Sequence, residues 1–224
     1  MAFTVARGVF NGTAFSSPTM TDRFDSASVA EGPGRLDAEL ESLADLRRLL
    51  RGRDVREAAV ALVLHDPVGL VRRAREWMSE NGYLFDLQEL VQGAALSIQL
   101  RARTVRDSAS LDTWIHRILD AQRSCLLRAD EARLEEGPRE PLQPRFRILA
   151  RALGLEHADL MPAMVALNGL PDVPRRALHA LLIEREGFTS FANRVGVPAR
   201  QARAILADAL VRLEEAAFPG GSDD

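Results

Sequence analysis

The chain has 224 residues, with 29 basic against 32 acidic side chains, a formal net charge of −3 and 46% hydrophobic content. That is enough apolar material for one large or two small cores. The charge argues against binding nucleic acid through bulk electrostatics, because phosphate neutralisation by Lys and Arg supplies most non-specific affinity, so any DNA contact is local or assisted by a partner.

Residues 1–35 are rich in Ser, Thr, Gly and Ala without a sustained period, which predicts a disordered N-terminal segment. Met20 is an alternative start. The charge pattern before it, with Arg and no acid, also suits a transit peptide, but the segment lacks an amphipathic period. From Leu36 the chain becomes periodic. Leu36, Leu40, Leu43, Leu46, Leu49 and Leu50 predict a helix to residue 51, and residues 55–64 predict a second. A third follows from Pro67, with Leu70, Val71, Ala74 and Trp77 inward, and stops at Asn81-Gly82. Over residues 84–103 the stripe Leu87, Leu90, Val91, Ala94, Ala95 and Ile98 predicts a helix that leaves Gln88, Glu89, Gln92 and Gln99 toward solvent or a partner.

A basic loop with Arg101, Arg103 and Arg106 leads into a helix over residues 109–136. Asp112 is its expected N-cap, and Trp114, Ile115, Ile118, Ala121, Cys125 and Leu126 its apolar spacing. Cys125, the chain's one cysteine, excludes an internal disulfide or a cysteine-based zinc site within one chain. Its apolar neighbours predict a packed thiol. Three prolines and a glycine within residues 134–144 cannot continue a helix and predict a linker. Helices are expected around residues 146–153 and 158–167. The last residues, 219–224, form a tail.

Residues 170–218 hold the most specific pattern. Three periodic runs are broken at Gly187 and at Gly196-Val197-Pro198, the punctuation of helix, short helix, tight turn and longer helix. In the last run Ala202, Ile205, Leu206, Ala209, Leu210 and Leu213 define one buried face, opposite Arg200, Gln201, Arg203, Ala204 and Asp208. Periodicity alone suits an undirected three-helix bundle equally well. The turn separates the two readings: Ala192 is small, Val195 ends the short helix, Gly196 takes a positive φ, and Pro198 suits the first position of the next helix.

This segment resembles region four of the extracytoplasmic-function group of bacterial RNA polymerase sigma factors. The resemblance rests on Leu170-Pro171, Arg175, Ala177-Leu178, Glu186-Gly187, Phe191-Ala192, Val195-Gly196-Val197, Arg203 and Arg212-Leu213. The stretch between Gly187 and Gly196 is shorter than the family's by about two residues. Pro198 stands for a Ser cap, and Ile205 and Asp208 stand where arginines are common. Glu89-Leu90-Val91-Gln92 is similar to the core of region two in the same family, with Gly93 where an acid is usual. Trp114, Ile115, Arg117, Ile118, Leu127 and Arg128 match the family's next helix, although Ala121 replaces an Asn and Ser124 or Cys125 an Asp. Gln122 and Arg123 are the polar side chains that stand in.

The resemblance implies an all-α protein: a region-two-like helical domain over residues 36–133 and a region-four-like helix-turn-helix domain over 145–218, joined by the proline-rich linker. It implies a cytoplasmic transcription initiation protein whose partners are core RNA polymerase, promoter DNA and an anti-sigma factor. Arg200, Gln201, Arg203, Ala204, Arg117 and Arg123 would meet DNA, and Gln88, Glu89 and Gln92 would meet polymerase. The alternative is a degenerate member that keeps the fold as a protein-interaction module. No apolar run approaches the roughly 18 residues of a membrane span. No phosphate-cradling glycine loop, HExxH or CxxC occurs, and His65, His116, His157 and His179 stand singly. No enzyme, cofactor, metal or small-molecule substrate is therefore expected.

Overall fold

A computed structural model of the chain describes residues 40–102, 110–136 and 143–218, and all regular structure among them is helical. The first half carries α1 (Leu43–Leu50), α2 (Val55–His65), α3 (Leu70–Asn81), α4 (Leu87–Ala102) and α5 (Leu111–Glu136). The second carries α6 (Pro144–Leu153), a short 3₁₀ turn, α7 (Leu160–Gly169), α8 (Asp172–Leu178), which runs on through a π-helical turn (His179–Ile183), α9 (Phe188–Val195) and α10 (Ala199–Ala217).

Side chains that bond the first free N–H groups set the helix starts. Ser42 accepts from Asp45 N at 3.2 Å and Asp54 from Glu57 N at 2.7 Å. Asp66, itself left-handed at φ 40°, accepts from the backbone of Leu70 and Val71. Asp66, Pro67 and the left-handed Gly69 are what separate α2 from α3.

Each half has its own apolar interior. In the first, Leu46, Leu50, Leu62, Leu70, Trp77, Leu90, Ile98, Ile115 and Leu119 share one core. Trp77, Tyr83 and Phe85 form a three-ring cluster, with centroids 5.2, 4.9 and 6.5 Å apart for the pairs Trp77–Tyr83, Tyr83–Phe85 and Trp77–Phe85. In the second, Phe146, Leu149, Met164, Leu167, Leu178, Ala209 and Leu213 form a cluster, and Ala177, Leu181, Phe191, Ala192 and Ala202 form another beneath the turn between α9 and α10.

The halves pack against each other. Leu84 belongs to the second half's cluster. Its backbone N–H donates to Asn168 Oδ1 at 2.8 Å, and Asn168 Nδ2 donates back to its carbonyl at 3.4 Å. Arg145 makes a two-pronged, buried ion pair with Asp130, at 2.8 and 3.0 Å. Gly82, at φ 72°, lies so close to α8 that a Cβ there would stand 2.7 Å from Arg176 Cα. Only glycine satisfies both demands.

Several expectations change. Cys125 and Ala121 are exposed, not packed, because α5 turns Trp114, Ile115, Ile118, Leu119 and Leu126 to the core. Gln99, expected at the surface, is 2% exposed, and its Oε1 has no hydrogen-bond partner among the described residues. Ser110, not Asp112, accepts the first-turn bond of α5, from Thr113 N at 3.2 Å. Asp112 instead accepts from Arg73 Nε at 3.0 Å. Pro198 occupies the N-cap of α10, one place before the expected first helical position. α5 continues to Glu136 and Pro144 already opens α6, so helix enters both ends of the expected linker. The expectations for residues 1–35, Leu36, Arg103, Arg106, residues 137–142 and the tail lie outside the described residues.

Candidate nucleic-acid interface

The last three helices are shaped by a turn that starts with α8. Its π-helical continuation ends at Ile183, and two residues on the chain turns toward α9 at Arg185, a left-handed residue at φ 57°. Glu186 then anchors α9. It accepts from Ser190 Oγ at 2.7 Å and from Arg194 Nη2 at 2.5 Å, and this Arg194 bond holds its carboxyl below the ordinary range. Between α9 and α10 the chain turns at Gly196, φ 73°, with Val197 N donating to Ala192 O at 2.9 Å. Pro198 follows, and its carbonyl accepts from Gln201 N at 2.8 Å and Ala202 N at 3.2 Å. An αL glycine at this corner is what allows a tight helix-to-helix turn.

α10 rests on Ala202, Ala209, Leu213 and Ala217, with Ile205, Leu206 and Leu210 partly covered. Arg200, Gln201, Arg203 and Ala204 are all exposed and share its first turns. The Arg203 guanidinium lies over the Phe188 ring of α9, 5.5 Å from the centroid. Such a stack limits the rotamers of an exposed arginine and aims it. Beyond these turns the helix neutralises its own charge, since Arg212 Nε donates to Asp208 at 2.7 Å. Arg194 is likewise satisfied by Glu186, so the cationic character of this face concentrates at Arg200 and Arg203.

In the first half, Gln88 and Gln92 are exposed on α4, and Leu96 and Leu100 continue the same row at four-residue steps. Glu89 is only half-buried but engaged: Arg133 of α5 donates to both its oxygens, at 2.5 and 2.9 Å. Arg133 also bonds Asp130, the partner of Arg145, so one chain of charges joins α4, α5 and α6. Arg117 and Arg123 lie on the exposed side of α5. Arg123 reaches back to the seam, where Nη1 donates to the Tyr83 hydroxyl at 3.4 Å. Gln122, expected beside it as a DNA-reading side chain, turns inward and donates to Ser97 Oγ at 2.7 Å. Its Oε1 lies 2.7 Å from where a Gly93 Cβ would stand. A side chain at Gly93 would thus meet Gln122 of the next helix.

The candidate residues therefore occupy distinct places: one edge of α10, one row on α4 and the outer side of α5. The connections of Arg133, Gln122 and Tyr83 could not be read from spacing, because each joins residues distant in sequence. Among the described residues no group of His, Cys, Asp and Glu is arranged to hold a metal ion, and no helix is long and apolar enough to cross a membrane. No protein-family model matches the chain, and no curated protein matches it.

Proposed function

We propose that this chain is a sigma-factor-like transcription initiation protein: its first half docks on core RNA polymerase and its helix-turn-helix positions on promoter DNA. The observation that carries this is the edge Arg200, Gln201, Arg203 and Ala204. Four side chains at the start of a helix stand exposed over an apolar underside, beyond a tight glycine turn. That is the arrangement by which a recognition helix offers its first turns to base edges in the major groove. Two arginines alone provide little non-specific affinity on a chain of net charge −3, which suits a factor whose DNA affinity is mainly supplied by a larger partner. Gln88 and Gln92 on α4 are the polar contacts offered to that partner. Co-purification with core polymerase and run-off transcription from a selected promoter test the reading, and absence of both overturns it.

A second reading, a protein-interaction module that regulates transcription without reading DNA, is favoured by two observations. The Asp208–Arg212 ion pair lies where the family has a further arginine, and Glu89 is already bonded by Arg133. Gel shifts with and without polymerase separate the two. The module retains polymerase and shows no preference among duplexes.

A further inference from the structure

The exposed edge of α10 offers two arginines one helical turn apart, and their surroundings differ. Arg203 lies over the Phe188 ring, its Cζ 5.5 Å from the centroid. Phe188 opens α9 and packs, half-buried, on the cluster of Ala177, Leu181, Phe191 and Ala202. Ala202, the residue before Arg203, is fully buried in that cluster. Ring and guanidinium are thus carried by two helices seated on one core, which fixes the platform beneath the cation. Arg194 also lies over a ring, Phe191 at 5.4 Å, but Glu186 takes its donors. Among the described residues no carboxylate does the same for Arg203, and Arg200 has neither a ring nor a carboxylate bonded to it.

A guanidinium is planar, so a ring against one face leaves its in-plane N–H donors free. The ring also removes rotamers whose loss would otherwise weaken binding by so long a side chain. Donors held in one plane suit the O6 and N7 acceptors that guanine shows in the major groove, which take two bonds side by side. A mobile arginine suits a phosphate, which accepts from many directions. We infer that Phe188 is a positioning residue that gives the two arginines different tasks: Arg203 reads a guanine edge and Arg200 holds the DNA backbone. The guanine contact rests on the transcription reading, whereas the stack belongs to α9 and α10 alone.

The first arm uses the full chain without DNA and reads the NMR order parameters of the Arg203 and Arg200 Nε–H groups. In the wild type Arg203 is expected to be the more ordered of the two. Phe188→Tyr should keep that order, and Phe188→Leu, which keeps apolar volume but loses the ring face, should reduce it to the level of Arg200. Equal mobility of the two arginines in the wild type overturns the stack as a positioning device. So does an order that Phe188→Leu leaves unchanged. Should Phe188→Leu lose its helical circular dichroism, the wild-type comparison decides the stack, and Arg203→Lys, which touches no core residue, replaces it in the second arm.

The second arm selects from a randomised duplex pool with polymerase present. The wild type and Phe188→Tyr are expected to demand guanine at one position, and Phe188→Leu and Arg203→Lys to lose about tenfold of that preference. Arg200→Ala should weaken all duplexes alike and flatten the salt dependence while the preference stays. A guanine preference that survives Phe188→Leu or Arg203→Lys overturns the positioning role, and its loss in Arg200→Ala overturns the division of tasks. A wild type that selects no guanine overturns the guanine contact. Failure to retain any duplex or polymerase sinks the transcription reading and the guanine contact with it, and the order parameters then decide the stack by themselves.

Discussion

Arg175 stands 3.9 Å over the ring of Tyr83, and Tyr83 in turn packs against both Trp77 and Phe85. The cation is thus pressed onto an aromatic cluster belonging to the other half of the chain. Burial lowers the Arg175 pKa, yet an arginine keeps its proton, so the stack and the hydrogen bonds must offset the lost hydration. Arg175→Ala is expected to cost about 2–4 kcal/mol, since it removes a desolvated cation–π contact and strands carbonyl acceptors. Tyr83→Phe keeps the ring and loses only the long bond from Arg123, so it should cost under about 1 kcal/mol. Urea unfolding of both variants checks this, and an equal loss in the two would mean that the hydroxyl, not the ring, holds Arg175.

Asp130 and Arg145 form the most deeply buried ion pair at the seam. Arg145→Met leaves the Asp130 carboxylate to Arg133 alone and should destabilise by about 3–5 kcal/mol. The double variant Asp130→Leu with Arg145→Met has no stranded charge and should recover at least half of that loss. A double-mutant cycle in urea gives the answer. Strictly additive effects would show that the pair is not coupled.

On the proposed DNA edge, Arg203 is exposed and its removal leaves the core intact. Arg203→Ala should therefore lose no more than about 1 kcal/mol of stability with its Phe188 stack, and about 1–3 kcal/mol of discrimination at one base pair. Arg212→Ala, whose guanidinium is taken by Asp208, should leave the preference unchanged. Selection from a randomised duplex pool in the presence of polymerase compares the two, and reversal of their ranking would move the recognition face along α10.

Acid should weaken the fold through His179. This ring is buried beneath the turn after α8, its Nδ1 3.6 Å from Glu184, and burial lowers its pKa from the ordinary 6.5. The unfolded chain therefore takes up a proton near pH 6.5 that the folded chain still refuses, so stability is full above that value and declines as pH falls below it. Glu186 and Asp112 act in the same direction only lower down, because their pKa values lie beneath 4.5 and 3.8. The midpoint of urea unfolding should drop from pH 7 to about pH 5 in the wild type and stay flatter in His179→Gln. A slope that survives His179→Gln would assign the effect to another group.

Local rules made most helices legible in advance. The stop at Gly82 and the turn at Gly196 depend on backbone sterics and near-neighbour bonds, so they can be read from a few adjacent residues, whereas the caps at Ser42 and Asp54 went unread and the helix expected from Leu36 has its N-cap at Ser42. For the same reason the exposed edge of Arg200 and Arg203 followed from the period of α10 alone. Only the tertiary structure decided which margins of each apolar stripe are covered. It exposed Ala121 and Cys125, sank Gln99, and bound Glu89 to Arg133 across 44 residues. A helical period states that a buried face exists. What lies against it, and whether a charge on its rim meets water or an opposite charge, depends on how the other helices pack, and that packing brought Arg175 onto Tyr83.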